Sequence, residues 1–149
     1  METGENREKA EIKRYATLGI ILLLVGISLF IGNYERQTLH VSELNHGREI
    51  INYYAPRWDP LPHHVKITAE SNEPLTFRVS IENKELETEN FTLKYGDDKT
   101  LDIYPDETIR ITVESAAVDS GGVKTLLWCD SWNIAAAVLL VSGLILLRA

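Results

Sequence analysis

The sequence contains one cysteine, Cys129, and can therefore form no internal disulfide. A domain without disulfides must be held together by its hydrophobic core, which among secreted domains is more typical of prokaryotes than of animals. Gln37 is the only glutamine and Met1 the only methionine, whereas glutamate is abundant. This composition is typical of thermophiles. We therefore predict a prokaryotic source, and thermophilic archaea fit the composition.

Catalytic signatures are missing as well. The sequence has no G-x-S-x-G or S-x-x-K motif, no G-x-x-x-x-G-K-[ST] phosphate loop and no C-x-x-C pair. Such motifs surround nucleophiles, phosphates and redox thiols in many enzyme families. We therefore predict a protein that is not an enzyme and that needs no cofactor, and we keep a membrane-bound enzyme as a third hypothesis.

Charge is absent from two apolar stretches, at 16–32 and 134–147. A helix over the first stretch, extended by Tyr15 and Tyr34, reaches about 30 Å, the thickness of the hydrocarbon core of a bilayer. A cleaved signal peptide is the alternative, but the exit from this stretch lacks the A-x-A-like pattern of a cleavage site. The pattern favours a retained transmembrane helix.

The second stretch is shorter, and a helix over it reaches about 27 Å when its flanking residues are included. Trp128 and Trp132 fit the aromatic belt of a membrane interface, as do Tyr15 and Tyr34, and Arg148 can extend to the opposite interface. A buried C-terminal helix is the alternative. A small soluble sandwich could not cover so apolar a helix on every side, so we predict a second span.

These features divide the chain into five segments. The N-terminal tail contains four Lys or Arg residues, and positive charges beside the first span are retained in the cytoplasm. We therefore predict a protein of the plasma membrane with both termini cytoplasmic and the middle extracytoplasmic. The segments are a short tail at 1–14, a first transmembrane helix at 15–34, a β-sandwich at 35–122, a linker or interfacial segment at 123–131 and a second transmembrane helix at 132–149.

Small residues recur along both apolar stretches. Residues seven apart lie on one face of a helix, and small side chains there let two helices approach closely. The alternative is that Gly, Ala and Ser are simply common in membrane helices. Neither apolar stretch, 16–32 or 134–147, contains Asp, Glu, Lys, Arg or His, which argues against a channel or transporter. The predicted packing residues are Gly19 and Gly26, Ala136 and Gly143, with Ser28 and Gly32 on a neighbouring face.

The middle of the chain alternates apolar and polar residues. This pattern is typical of antiparallel strands with one face on a core. Turn residues separate seven such runs, so we predict a membrane protein that is mainly β, with an Ig-like or jelly-roll-like antiparallel β-sandwich inserted between two transmembrane helices. The runs are at 65–69, 75–81, 91–95, 101–103 and 109–113, with weaker ones at 38–44 and 48–54, and 119–122 is predicted as a linker.

The middle segment is acidic. It has 18 Asp or Glu and 10 Lys or Arg between positions 35 and 130, which gives a charge of −8. A nucleic-acid partner requires a basic face, so no nucleic-acid partner is predicted. The acidic run at 82–89 lacks the ligand spacing of an EF-hand loop and is interpreted as a solvated hairpin.

The pair His63 and His64 is the strongest candidate for a metal site, with Asp59, His40 or His46 as further ligands. Adjacent residues on a strand point to opposite faces, so the two histidines could share an ion only within a loop. We therefore predict no metal, and leave His63 and His64 as the alternative.

Three further features concern modification or contact. Asn90 begins an N-x-[ST] sequence, so the protein is a possible glycoprotein. Cys129 is interpreted as a passive thiol, with pairing to a partner's cysteine as the alternative. The unusual loop after residue 52 contains residue types that anchor interfaces, and it is the predicted interaction surface. Its members are Tyr53, Tyr54, Arg57 and Trp58.

The leading functional hypothesis is a non-catalytic accessory or interaction subunit of a larger membrane complex. Its partners would be the lipid bilayer and one or more membrane-protein subunits, or further copies of the same chain. The alternative is an extracytoplasmic ligand- or metal-binding module. Neither cytoplasmic end offers room for an output domain, so signalling by this chain alone is disfavoured.

Overall fold

The computed structural model describes residues 4–44, 47–83, 85–114 and 120–148. The chain divides into two compact units. One is the β domain, Tyr34–Asp130, and the other contains the two terminal segments, Met1–Asn33 and Ser131–Ala149. Each unit is described below by itself.

In the described residues the β domain has eight strands and a short 3-10 turn at Val41–Glu43. The strands form two antiparallel four-stranded sheets, with the orders β1-β8-β3-β6 and β2-β7-β4-β5. Two antiparallel sheets are thus confirmed, as in a β-sandwich. The strands are β1 Glu35–His40, β2 Arg48–Tyr54, β3 His63–Ala69, β4 Leu75–Glu82, β5 Leu86–Leu93, β6 Asp98–Ile103, β7 Thr108–Val113 and β8 Gly122–Cys129.

The core follows the alternation that the sequence predicts. In β3, every second residue from His63 to Ala69 is buried and the residues between them are partly exposed. β4 and β7 supply Phe77, Ile109 and Ile111 to the same core. Alternate burial is expected because successive side chains of a strand point to opposite faces of its sheet. The apolar faces of both sheets therefore enclose one core.

Strand β8 is the main departure from the predicted fold. The segment 123–131 was expected to be a linker, but Gly122–Cys129 pairs with β1 on one side and β3 on the other. Its inward residues alternate from Val123 to Cys129. Of the outward residues only Lys124 is polar, and Leu126 and Trp128 are apolar, so the alternation that marks a half-buried strand is weak in the sequence.

The glycines at the start of β8 have structural roles. Gly121 has a φ of 94°, a conformation that residues with a side chain rarely adopt. A Cβ atom at this position would lie 1.8 Å from the carbonyl oxygen of Glu70. Gly122 begins β8, so the predicted linker at 119–122 is wrong at that residue, whereas Gly121 precedes the strand and Asp119 lies outside the described residues.

The helical unit contains α1, Gly4–Gly32, and α2, Asp130–Arg148. Both are long and apolar enough to cross a membrane by length and composition. Helix α1 begins well before Tyr15, so residues 4–14 of the predicted tail are helical. Helix α2 begins two residues before the predicted second span, at Asp130, an acidic residue suited to a helix N-terminus.

The two helices contact each other through small residues. Gly19, Gly26, Ala136 and Gly143 are the buried residues of these helices. A Cβ atom on Gly19 would lie 2.9 Å from the carbonyl oxygen of Gly143, so the backbones approach too closely for a side chain. Asn33 Nδ2 also donates a 2.9 Å hydrogen bond to Asn133 Oδ1.

The neighbouring face of α1 is not part of this contact. The Ser28 side chain is exposed, and its hydroxyl donates to the carbonyl of Leu24 in its own helix. A Cβ atom on Gly32 would have no neighbour within 4 Å. Ser28 and Gly32 therefore lie outside the α1–α2 interface, and packing of this second face against another helix stays a prediction.

Candidate functional site

Four polar side chains meet at one end of the β-domain core. Asp59, His63 and Cys129 are 1%, 4% and 4% exposed, and Tyr53 is half-buried beside them. His63 Nε2 lies 3.0 Å from Asp59 Oδ2, and His63 Nδ1 lies 2.6 Å from Tyr53 Oη. One ligand-type atom each of Asp59, His63 and Cys129 lies within 4.8 Å of the other two. We call these four residues the buried polar cluster.

Three parts of the β domain position this cluster. His63 begins β3 and Cys129 ends β8, and the two are direct cross-strand partners. Side chains opposite each other on antiparallel strands point to the same face, here the inner one. Tyr53 comes from β2 in the other sheet, so its bond to His63 crosses the core.

Asp59 is held by the loop between β2 and β3. Its amide donates to the carbonyl of Pro56, and its Oδ1 accepts the amide of Leu61. Carboxylates that accept backbone N–H groups in this way stabilise tight turns. One carboxylate oxygen thus fixes the loop while the other, Oδ2, faces His63.

Electrostatics in the cluster favour neutral Tyr53. Burial raises the pKa of the Tyr53 hydroxyl, and the electrostatic influence of Cys129, Asp59 and Glu35 raises it further. Burial disfavours a phenolate because it removes the charge from water. Tyr53 therefore serves the cluster as a neutral hydroxyl.

The cluster differs from a cysteine–histidine–aspartate triad in one respect. In a triad, one imidazole nitrogen faces the carboxylate and the other faces the nucleophile. Here the nitrogen that does not face Asp59 lies against Tyr53 Oη. The chemistry that the arrangement offers is a set of nitrogen, oxygen and sulfur ligands.

His64 lies on the opposite face of β3 from His63 and has different partners. Its Nδ1 lies 2.7 Å from Asp102 Oδ1, and its Nε2 lies 2.9 Å from Asp130 Oδ2. The ring also stacks on Trp128 at 5.2 Å, and Trp128 stacks on Tyr34 at 6.0 Å. Burial lowers the pKa of His64, but its hydrogen bonds to Asp130 and Asp102 outweigh this effect and raise the pKa overall.

This pair of carboxylates predicts a pH-dependent stability. A histidine whose folded pKa is raised stabilises the fold fully below its unfolded pKa of about 6.5. The stabilisation is lost as the pH rises through the folded value. His64→Gln should therefore lower the free energy of unfolding by about 1 kcal/mol in mild acid and by less in mild alkali, since both carboxylates are partly exposed.

The measurement is the melting temperature of full-length protein and variant in micelles, across this pH window. His40→Gln, at an exposed position on β1, is the matched control. A deficit of His64→Gln that is constant with pH, or that grows toward alkali, would contradict the prediction.

The predicted interaction loop is only partly a surface. Trp58 is 75% exposed, and Tyr54 and Arg57 are also exposed. Tyr54 Oη donates to Asp106 Oδ1, and Arg57 forms an ion pair with the same carboxylate at 3.4 Å. Tyr53, in contrast, faces the core and bonds to His63, so it is not part of this surface. The aromatic end, as we name it, comprises Tyr54, Arg57, Trp58 and the exposed Tyr104.

The aromatic end lies where the chain enters and leaves the β domain. The loop after β2 leads into His63, which pairs with Cys129 at the end of β8. Glu35 at the start of β1 pairs with Leu127. Backbone bonds between Ala55 and residues 106 and 107 hold the turn after β6 against the same loop.

The remaining predicted residues are dispersed. Tyr15 and Trp132 are exposed on the helices, and Arg148 is in the last turn of α2. Tyr34 and Trp128 are half-buried in their stack on the outer face of β8. Asn90 is exposed on β5, at the edge of its sheet, where its glycosylation stays a prediction. His46, named above as a further ligand, lies outside the described residues.

Sequence reasoning missed the meeting of Cys129 with Asp59 and His63. Asp59 and His63 are four apart, and that spacing was available. Cys129 could not be added while its segment was interpreted as a linker, because only the pairing of β8 with β3 places it beside His63. The β-branched residues Val123 and Thr125, at alternate positions leading to Cys129, are the sequence signal that could have found it.

No protein-family model matches the sequence, and a search of curated proteins found no match. Among solved structures, the chain is similar to PirA, with 11% identity and a TM-score of 0.42, over 64% of this chain and 93% of that one. It is also similar to Drosophila melanogaster CENP-C bound to CAL1, with 16% identity and a TM-score of 0.34. That match covers 65% of this chain and 63% of the other.

A third similarity is to the CBM22-1-GH10 modules of a Clostridium thermocellum xylanase complexed with xylohexaose. Its identity is 14% and its TM-score 0.28, over 64% of this chain and 18% of that one. At TM-scores this low, the three similarities do not bear on the fold or the function of this chain.

Proposed function

We propose that the chain is a two-pass protein of the plasma membrane that acts as a non-catalytic accessory subunit of a larger membrane complex. Helices α1 and α2 would span the bilayer, both termini would be cytoplasmic, and the β domain would lie outside. The supporting observation is the apolar surface of the two helices.

That surface is extensive in the described residues. Ile31 on α1 is 68% exposed and Ile145 on α2 is 62% exposed, and many large apolar neighbours are similarly open. Exposing apolar area to water costs about 25 cal/mol per Å², so such a surface requires lipid or protein to cover it. A bilayer covers a pair of helices of this length on all sides.

For the β domain we infer the jelly-roll alternative rather than the Ig-like one. An Ig sandwich of the constant type divides seven strands into four and three. Here the described strands divide equally, and successive strands mostly alternate between the sheets, as the orders β1-β8-β3-β6 and β2-β7-β4-β5 require. Eight strands in two sheets are typical of jelly rolls.

The aromatic end is the surface through which we propose that a partner binds. Trp, Tyr and Arg are the residues most often found at the energetic centre of protein interfaces. This end also carries both connections to the helices, since Glu35 and Cys129 lie there. A partner at this end would therefore be another membrane protein, or a second copy of this chain.

Membrane topology is testable with two engineered cysteines. The two variants are Leu86→Cys, at an exposed position on β5, and Lys9→Cys, at an exposed position in the first part of α1. A membrane-impermeant maleimide should label Leu86→Cys in intact cells and label Lys9→Cys only after permeabilisation. The native Cys129 is buried and should contribute little label. Recovery of the protein in the soluble fraction, or the reverse labelling pattern, would contradict the topology.

The accessory role is testable with a photo-crosslinking amino acid at Trp58. We expect a discrete cross-linked product at native expression levels. The matched control is the same amino acid at Tyr95, which is equally exposed but lies in the turn between β5 and β6. Equal products from both positions, or a monomer without any product, would count against a partner at the aromatic end.

A further inference from the structure

We propose that Asp59, His63 and Cys129 form a binding site for one divalent cation of borderline softness, with Zn²⁺ as the natural occupant. The site lies inside the β domain and is independent of the proposed membrane insertion. It also differs from the metal alternative that the sequence suggested, since it uses His63 without His64.

The ligand set fits zinc. Zn²⁺ is bound by cysteine sulfur, histidine nitrogen and carboxylate oxygen, and often by three protein ligands with a fourth position open. Ca²⁺ and Mg²⁺ prefer sets made of oxygen alone, so a thiol and an imidazole disfavour both. All three side chains of this site are buried, which distinguishes them from a solvated group of surface acids.

The separation of the His63 and Asp59 ligand atoms requires little movement. His63 Nε2 and Asp59 Oδ2 are 3.0 Å apart, and the three ligand atoms lie within 4.8 Å of one another. Two ligands at the usual 2.0–2.1 Å from a tetrahedral ion would be roughly 3.3 Å apart. An ion in place of the shared proton would therefore shift these two atoms by a few tenths of an ångström.

The outer partners orient the ligands. A metal-bound histidine usually donates its second ring N–H to a neighbouring acceptor, which fixes the ring. Tyr53 Oη is 2.6 Å from His63 Nδ1 and occupies that place, so Nε2 is the nitrogen aimed at the ion. The amide of Leu61 likewise holds Asp59 Oδ1 and leaves Oδ2 for the ion.

A divalent cation would also balance the charges of its ligands at this site. Asp59 as carboxylate and Cys129 as thiolate together carry two negative charges, which a divalent cation neutralises. A neutral assembly is far cheaper to bury than an isolated charge. Binding would move the ring proton of neutral His63 from Nε2 to Nδ1 and release the thiol proton of Cys129, so affinity should rise with pH.

A cavity between the two sheets borders one member of the buried polar cluster, Tyr53. A cavity of about 160 Å³ is lined by Tyr53 from β2 and by Leu127, the inward neighbour of Cys129 on β8. Glu35 lines the same cavity and supplies a carboxylate there, whereas Asp59, His63 and Cys129 do not line it. The cavity thus extends to Tyr53, the outer partner of the site.

The test uses full-length protein purified in detergent, stripped with a chelator and titrated with Co²⁺, a spectroscopic substitute for Zn²⁺. We expect one equivalent to bind, with a thiolate-to-cobalt charge-transfer band and visible bands of four-coordinate intensity. Stoichiometric Zn²⁺ should displace it and raise the melting temperature in a chelator-reversible way. Absence of the charge-transfer band would overturn the proposal.

Variants identify the ligands. Asp59→Asn keeps the shape of the side chain and its hydrogen bond from Leu61 but removes the carboxylate, and Cys129→Ser removes the sulfur. Each should lose Co²⁺ binding, and near-ultraviolet circular dichroism should show that each is folded. If Cys129→Ser fails to fold, the loss of Co²⁺ binding in Asp59→Asn and His63→Ala alone tests the proposed ligands. His64→Ala, at the adjacent position on the outer face, is the matched control and should bind normally.

Tyr53→Phe tests the orienting role of the hydroxyl. Loss of such an outer partner typically weakens metal affinity by about 10–100-fold, so this variant should still bind, but more weakly. If His64→Ala abolishes binding, or if Asp59→Asn and Cys129→Ser both bind as tightly as the wild type, the site is wrong.

Discussion

Replacing Gly121 by alanine is expected to lower the free energy of unfolding by about 2–5 kcal/mol, the largest effect of any substitution proposed for this chain. The φ of 94° contributes about 1–2 kcal/mol, because a side chain strains a left-handed backbone. The added Cβ would also meet the carbonyl oxygen of Glu70 at 1.8 Å. Forced overpacking of this kind costs about 1–3 kcal/mol more.

The added Cβ would clash with backbone atoms of Glu70, which cannot rotate away as a side chain would. Gly122 donates its amide to Glu70 and accepts from the Glu70 amide, so β8 is tied to the residue after β3 at this point. Moving Gly121 outward would break this pair of bonds. The strain should therefore reach β8, whose two neighbours are β1 and β3.

Gly96→Ala is the matched control. Gly96 has a similar φ of 81°, but a Cβ there would meet no atom within 4 Å. It should cost only the conformational strain, about 1–2 kcal/mol. Both variants are measured by thermal and urea unfolding of the full-length protein in micelles. Equal losses would mean that the close approach of Glu70 contributes nothing.

Replacing Gly143 by leucine is expected to separate α1 from α2. A Cβ at Gly143 would lie 2.8 Å from the carbonyl oxygen of Gly19 and 2.9 Å from Leu23. The helices must move apart to admit a side chain, which forfeits the close backbone contact and costs about 1–3 kcal/mol. Gly32→Leu is the matched control, because a Cβ there has no neighbour within 4 Å.

The readout is cross-linking at the end of the helix pair. The side chains of Asn33 and Asn133 are hydrogen-bonded at 2.9 Å, so cysteines at these two positions should react with a short bismaleimide. We expect Gly143→Leu to reduce the cross-linked yield strongly and Gly32→Leu to leave it unchanged. An undiminished yield in Gly143→Leu would show that the helices tolerate a side chain at this contact.

A strand could be predicted from the sequence where one of its two faces consists of polar residues. In β3, Lys66 and Thr68 alternate with buried Val65 and Ile67, so the sequence shows the period directly. In β8, outward Leu126 and Trp128 hide it, because Trp128 is covered by Tyr34 and His64 rather than by water. A mostly apolar strand that directly precedes an apolar helix is easily interpreted as the segment leading into that helix.

Only the part of the candidate site that lies within one loop could be predicted from the sequence. Asp59, Leu61 and His63 belong to one loop, and their hydrogen bonds follow from short-range geometry. The sequence also separates His63 from His64, because neighbours on a strand face opposite ways. Tyr53 was interpreted as a surface residue because its loop is rich in exposed residue types, whereas its strand register turns it inward to His63.

The sequence by itself determined the two apolar helices, the antiparallel strand pattern of the acidic middle and the small residues at Gly19 and Gly143. These are periodic properties, readable from neighbours a few positions apart. The tertiary structure alone decided that β8 lies between β1 and β3, which brings Cys129 to His63 from 66 positions away. Strand order depends on pairing between distant segments, and local periodicity contains no information about which distant strand becomes the partner.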